Sequence, residues 1–176
     1  IKIIKKSVDN IIKKVYNKDI INNKYLRRVL IMMTRKHNVE DIRKILEEMD
    51  NKGLSYFSKL PIKISKRMTR SLGSAVSKVQ WDIRTREIVK VTPLEFKFSQ
   101  YLLDAQLTDQ QFKDIIVHEW THLYANNKYQ DDCGHDFRYK AECKKLGYDY
   151  VGGMYCSKEI GRAFTSAIRN AKMQVK

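Results

Sequence analysis

The sequence predicts an α+β fold, with a small antiparallel sheet beside one long buried helix and further helices at both ends. Apolar residues recur at helical spacing near both termini and between residues 109 and 126, whereas short alternating stretches lie between residues 60 and 98. The chain has 176 residues, of which 43% are hydrophobic, enough for one sizeable core. We therefore expect one domain, a core with helices added at both ends: N-terminal helices in residues 1–54, the core in residues 55–150 and a C-terminal helix in residues 151–176.

The N-terminal region predicts three amphipathic helices that pack on the core. The first has its apolar stripe within residues 8–15 and the second within residues 25–33. The third begins at Asn38, a residue that caps helices well, and ends near Gly53.

The middle of the chain predicts the strands. Apolar and polar residues alternate in residues 60–64, after Pro61, and again around residues 79–81 and 96–98. Residues 82–86 predict a turn between two of these strands. A small antiparallel sheet is the expected result.

A long helix is predicted for residues 109–126. Thr108 followed by Gln111 forms a capping box, and Asp109 suits the positive end of the helix dipole. Its apolar residues cover most of the circumference, which is typical of a buried helix: Phe112, Ile115, Ile116, Val117, Trp120, Leu123 and Tyr124. After a polar loop, residues 136–146 predict a second helix with Gly147 as its cap, and Ser157 is expected to begin a final helix with the buried stripe Ile160, Phe164, Ala167 and Ile168.

Within the long helix, His118, Glu119 and His122 have the spacing of a zinc site. Residues four apart share a helix face, so the two histidines can bind one Zn²⁺ while Glu119 reaches towards a water on the metal and acts as a base. His135, after the polar loop, is the expected third ligand. Three protein ligands leave a fourth position open, as catalytic zinc requires.

Alternatives remain at this point. Asp131, Asp132 and, more weakly, Cys133 are rival third ligands, and the helix could hold its histidines by hydrogen bonds with no metal at all. The oxyanion of a hydrolytic reaction also needs a donor, for which Tyr129, Tyr150 and Tyr155 are candidates.

The order of these parts resembles the SprT-like, or Spartan-like, zinc metalloproteases over residues 55–150. The resemblance rests on Ile-Ser-Lys-Arg-Met-Thr-Arg-Ser-Leu-Gly at residues 64–73, the two-histidine helix, the Gly134-His135 pair, the aromatic Tyr139, and Lys-Lys-Leu-Gly at residues 144–147. It implies a zincin-like metalloprotease core, one Zn²⁺ on His118, His122 and His135, Glu119 as base, and cleavage of proteins crosslinked to DNA.

The chain departs from that family in two places. After the third histidine, where the family often has Gly and Pro, stand Asp136 and Phe137. Many members carry a zinc ribbon built from paired cysteines, whereas the three cysteines of these 176 residues, Cys133, Cys143 and Cys156, include no Cys-x-x-Cys pair. We therefore expect any contact with nucleic acid to come from the domain itself.

The charge pattern points to such a contact. The net charge is +15, and residues 52–90 carry ten Lys or Arg against two acids, whereas residues 91–127 carry two against five. Basic residues neutralise phosphates and aromatic residues stack on bases. We expect single-stranded or junction-containing DNA to bind at Lys63, Lys66, Arg67, Arg70, Lys78 and Trp81. The alternatives are a protease with no DNA role, whose charge only reflects composition, and a basic binding module without catalysis.

The odd, scattered cysteines argue against a disulfide framework and suit a reducing compartment. Lysines interrupt the first residues before any apolar run reaches the length of a signal peptide, and no later run approaches a membrane span. We expect an intracellular protein, cytoplasmic or associated with the nucleoid or nucleus, with a protein substrate and no membrane partner.

Overall fold

The structure is a computed structural model and describes residues 34–148 and 158–174. The chain divides into two compact units, residues 1–34 and residues 35–176, and apart from Thr34 the described residues belong to the second. The two predicted helices within residues 8–15 and 25–33, and the predicted cap Ser157, lie outside the described residues.

The described residues form an α+β fold, as predicted. Its strands are β1 (Thr34–Arg35), β2 (Ile62–Ser65), β3 (Gly73–Trp81), β4 (Ile88–Ser99) and β5 (Leu107–Thr108). Its helices are α1 (Val39–Gly53), α2 (Gln100–Asp104), α3 (Asp109–Tyr129), α4 (Phe137–Lys145) and α5 (Lys158–Met173), with a 3₁₀ turn at Phe57–Lys59. The sequence did not predict β1, β5, α2 or the 3₁₀ turn, all of which have five residues or fewer.

Helix α1 confirms the third predicted N-terminal helix. The Asn38 side chain accepts a hydrogen bond from the Asp41 N–H at 3.0 Å, and the Asp41 carboxylate accepts one from the Asn38 N–H at 2.9 Å. This reciprocal capping box satisfies two backbone donors that a helix start leaves without intrahelical partners. The apolar face of α1 is buried in the core through Ile42, Leu46 and Met49.

The three-stranded sheet has the order β2-β4-β3. Strands β3 and β4 are antiparallel, with Gly73 opposite Phe98, whereas β2 and β4 are parallel, with Ile62 opposite Phe96. The predicted antiparallel pairing is therefore confirmed for β3 with β4 and wrong for β2 with β4. The alternation of apolar and polar residues determines which face of a strand is buried but not the direction of the neighbouring strand. Here residues 66–72 carry the chain from β2 to β3, which lies on the opposite side of β4.

Helix α3 begins at the predicted capping box of Thr108 and Gln111 and extends to Tyr129, three residues beyond the predicted end. It contacts α1, β3 and β4. Phe112, Ile116 and Trp120 are at most 1% exposed. This burial confirms that α3 lies inside the core rather than on its surface.

Two features seat Trp120 of α3 against α1. Its indole Nε1 donates to the Asp50 carboxylate at 2.9 Å. The same carboxylate accepts from the Ser55 hydroxyl at 2.6 Å and from the backbone N–H groups of Phe57 and Ser58 at 3.1 and 2.7 Å. A Cβ on Gly53 would overlap the Trp120 ring, so only glycine allows this approach.

Helix α5 buries Ile160, Phe164 and Ala167, with Ile168 packed beside them, which confirms the predicted stripe. Phe164 meets Tyr101 of α2 edge to face, with ring centroids 6.4 Å apart. Within residues 34–148 and 158–174, no helix combines the length and the hydropathy that crossing a lipid bilayer requires.

Candidate metal centre

Helix α3 brings His118 and His122 to one face, and the loop before α4 adds His135. The Nε2 atoms of His118 and His122 are 3.0 Å apart, and the Nε2 atom of His135 lies 3.0 Å from the first and 3.1 Å from the second. Among the described residues, these three form the only cluster of His, Cys, Asp or Glu side chains that could hold a metal ion.

The protonation state of the cluster suits a metal. Burial, reinforced by the neighbouring imidazoles of His122 and His135, lowers the pKa of His118 to about 3. Burial and the nearby His135 lower the pKa of His122 to about 4, against a small opposing effect of Asp132. Both rings are therefore neutral near pH 7, and a neutral imidazole has the lone pair that a metal ion needs.

The loop that carries His135 is held in place by its neighbours. Asp136 caps α4 by accepting from the N–H groups of Arg138 and Tyr139 at 2.8 and 3.2 Å. The Arg138 guanidinium pairs with Asp136 at 2.8 Å and with Asp131 at 2.9 Å, and so bridges the two ends of the loop. His135 itself is exposed, so the cluster opens to solvent on this side.

None of the rival third ligands joins the cluster. Asp131 is engaged by Arg138, and Asp132 accepts a hydrogen bond from the Gly134 N–H at 3.3 Å. Cys133 is buried, and its sulfur is not among the donor atoms that converge on the centre.

Glu119 lies against the start of β3. It is 3% exposed, and a Cβ built on Gly73 would stand 2.8 Å from the Glu119 Cγ and 2.9 Å from its Oε1. The backbone of β3 therefore touches the Glu119 side chain at a place where only glycine leaves room. The sequence alone gives Gly73 no role beyond its place in the segment at residues 64–73, because its partner is 46 residues away in the chain.

Gly73→Ala should lower the turnover number of any reaction that depends on Glu119 by roughly tenfold to a hundredfold, since small misplacements of a reacting group have costs of that size. Metal content should stay unchanged, because the added methyl group meets Glu119 and Phe98 rather than a histidine. Steady-state kinetics with metal analysis checks this.

Gly161→Ala is the matched control, because a Cβ there meets nothing within 4 Å. Its kinetics should equal those of the wild type. A Gly73→Ala protein with wild-type turnover would mean that Glu119 has room to shift.

Among the tyrosines near the centre, Tyr139 contacts the histidines and Tyr129 is engaged elsewhere. Tyr129, a candidate oxyanion donor, instead donates to the Glu142 carboxylate at 2.7 Å, and Tyr150 and Tyr155 lie outside the described residues. Tyr139, in the sequence only an aromatic residue of the family pattern, is 0% exposed and lies against all three histidine rings. Tyr139 lies in the first turn of α4, four residues after His135, and this closeness in sequence is the signal that could have placed it near that histidine.

The predicted DNA-contact residues fall into two regions. Lys63 pairs with Glu95 at 2.6 Å, and the exposed Lys66, Arg67 and Arg70 lie between β2 and β3. Lys78 and the 59% exposed Trp81 belong to the far half of β3. Nine residues of strand span roughly 25–30 Å, which separates Trp81, at the end of β3, from the segment that bears Lys66, Arg67 and Arg70.

The fold and the cluster together define an α+β protein with a candidate centre for one metal ion beside a buried glutamate. A model of the SprT-like family matches residues 40–159, more than half of the chain. The chain belongs to the SprT-like family. Comparison with curated proteins gives no match, and neither does comparison with solved structures.

Proposed function

We propose that this chain is a zinc-dependent endopeptidase of the SprT-like type. The observation that carries the proposal is the convergence of three histidine Nε2 atoms to within 3.1 Å of one another. The metallopeptidase activity that the family resemblance implies agrees with this donor set and with the buried Glu119 next to it.

The donor set fits zinc. A tetrahedral Zn²⁺ with Zn–N bonds of about 2.0–2.1 Å holds its ligand nitrogens roughly 3.3 Å apart, close to the separations found here. His118, His122 and His135 would hold the ion through Nε2, and within residues 34–148 and 158–174 no fourth protein donor joins them. Structural zinc sites are normally closed by four protein ligands, so a three-ligand site favours catalysis over a purely structural role.

When bound, zinc would supply Lewis acidity that makes a water more acidic and polarises the scissile carbonyl. The protein supplies the proton transfer. Glu119 takes a proton from the attacking water and then gives it to the amine that leaves. The contact with the Gly73 backbone limits how far the Glu119 carboxylate can turn away, and the exposed side of the cluster at His135 leaves a peptide access to it.

The test combines metal analysis with a cleavage assay. Purified protein should contain one zinc per chain and cleave casein, and a chelator should remove both properties until zinc is restored. Protein that folds but neither holds zinc nor cleaves casein after zinc addition would contradict the proposal and favour a binding module without catalysis.

We propose further that the chain binds single-stranded DNA through the tip of the β3–β4 hairpin, which would direct the protease to proteins crosslinked to DNA. Trp81 and Ile83 are 59% and 96% exposed there. Four exposed cations surround them and make no ion pair within the part of the chain that the structure describes: Lys78, Arg84, Arg86 and Lys90. Cations without an ion pair suit phosphates, and the exposed indole beside them suits stacking on bases.

The hairpin tip has a defined shape for such a contact. The Asp82 carboxylate accepts from the N–H groups of Arg84 and Thr85 at 2.7 and 3.0 Å, and the Arg86 N–H donates to the Asp82 carbonyl at 2.8 Å. The turn predicted at residues 82–86 is thereby confirmed, and the arginines are carried on a hydrogen-bonded turn.

Arg84→Glu with Arg86→Glu should weaken binding of a single-stranded oligonucleotide and reduce its salt dependence by about 0.7 in log–log slope per lost phosphate contact. Fluorescence anisotropy over a range of salt concentrations measures both. Arg67→Glu with Arg70→Glu makes the same change of charge elsewhere and should have the smaller effect.

A larger effect of the Arg67 and Arg70 pair would move the contact to the segment between β2 and β3, and two unaffected variants would leave a protease without a DNA role. Casein cleavage with and without the oligonucleotide then tests whether DNA influences proteolysis.

A further inference from the structure

We infer that Tyr139 is a positioning residue that fixes the rings of all three histidines before a metal ion binds. The inference rests on the proposed function, since it concerns the same centre, and it assigns the Tyr139 ring a role that the metal ligands cannot perform for one another.

Tyr139 is fully buried and touches every ring of the cluster. Its ring centroid lies 4.4 Å from that of His122, with the planes 29° apart, so the two rings stack. The centroids of His118 and His135 lie 5.4 and 5.2 Å away, with interplanar angles of 61° and 83°. A stacked ring blocks rotation of His122 about its Cβ–Cγ bond, and edge contacts limit the other two.

Tyr139 is itself fixed at both ends. Its backbone N–H donates to the Asp136 carboxylate at 3.2 Å, one residue after His135. Its hydroxyl is within 3.4 Å of the His118 carbonyl and also interacts with the Cys143 thiol. Burial raises the pKa of that thiol, and the hydrogen bonds with Tyr139 and Thr121 oppose this effect. One side chain thus ties the loop that bears His135 to the helix that bears His118 and His122.

Tyr139 offsets the repulsion among the three imidazole nitrogens before a metal ion binds. When all three Nε2 atoms present the lone pairs that a metal ion needs, these nitrogens about 3 Å apart repel one another until the cation enters, and rings free to turn would separate. A rigid aromatic surface behind the rings keeps their Nε2 atoms convergent, so less order has to be imposed when the ion enters. The aromatic ring positions the histidines, and its complete burial holds it in place without the hydroxyl contact, which is long at 3.4 Å.

The experiment compares three variants by titration with Co²⁺, competed against a chelator of known affinity and followed by the visible absorption of the bound ion. Tyr139→Leu removes the ring but keeps an apolar side chain, and should bind Co²⁺ about 10–100-fold more weakly with an altered spectrum. Tyr139→Phe keeps the ring and should match the wild type. Tyr101→Leu removes an aromatic remote from the cluster and should bind as the wild type does.

Each outcome is decisive. Wild-type protein that takes up no Co²⁺ overturns the proposed function itself, whereas wild-type binding with an unaffected Tyr139→Leu variant overturns only the role of Tyr139. If circular dichroism shows that the leucine variant is unfolded, Tyr139→Phe decides: wild-type affinity and spectrum support the inference, and a tenfold loss would overturn it, since the ring would then not be sufficient.

Discussion

Glu119→Gln should abolish measurable peptide hydrolysis and leave the zinc content at one ion per chain. The amide is nearly the same size as the carboxylate and fits beside Gly73, but it cannot accept a proton at neutral pH. General-base assistance is worth about 10²–10⁴-fold in rate, which sets the expected loss. Zinc remains because the converging donors are the three histidines. Turnover of a fluorogenic peptide and metal analysis on the same preparation measure the two effects.

Glu48→Gln is the matched control for this substitution. Glu48 makes ion pairs with Lys52 and Lys113 on the surface, away from the histidine cluster, so activity should stay at the wild-type level. Full activity in Glu119→Gln would show that another group removes the proton and would refute the mechanism proposed here.

Asp50→Ala should lower the free energy of unfolding by about 3–5 kcal/mol, the cost of leaving several buried donors without their charged acceptor. The Asp50 carboxylate is 7% exposed and serves Ser55, Phe57, Ser58 and Trp120. Urea unfolding of the zinc-loaded protein at pH 7 measures the loss. A change below about 1 kcal/mol would mean that these donors find other acceptors.

The charge of Asp50 adds a dependence on pH. Burial disfavours the ionised form, but hydrogen bonds from Ser55, Ser58 and Trp120 outweigh it and hold the pKa of Asp50 below its ordinary value. The stabilisation is therefore complete above the unfolded-state pKa, near 3.9, and is lost as the pH falls through the lower folded-state value. Asp50→Asn, which keeps an acceptor oxygen but no charge, should lose less stability than Asp50→Ala at pH 7.

Local signals in the sequence predicted the parts of the fold that local interactions determine. The starts of α1 and α3 follow from Asn38 and Thr108, because each capping box is complete within four residues. The end of α3 was predicted too early, since the polar residues after Ala125 look like a loop although they continue the helix to Tyr129. The parallel pairing of β2 was missed because strand alternation contains no information on the neighbouring strand.

The same distinction applies to the candidate site. The spacing of His118 and His122 on one helix follows from helical geometry alone, and His135 follows from the order of parts shared with a family. The supports of the site are non-local: Asp50 and Trp120 are 70 residues apart, and Gly73 meets Glu119 across 46 residues. Such contacts depend on how α3 packs against α1 and against the sheet, which no single stretch of sequence specifies.

Two neighbouring residues of α3 contact main chain directly at glycines: Trp120 meets Gly53, and Glu119 meets Gly73. Side chains can change rotamer within nanoseconds, whereas main chain inside an ordered helix or strand moves far less. The accuracy with which the glutamate faces the histidines is thus inherited from backbone packing, so mutations that merely loosen the surface of this domain should spare its chemistry.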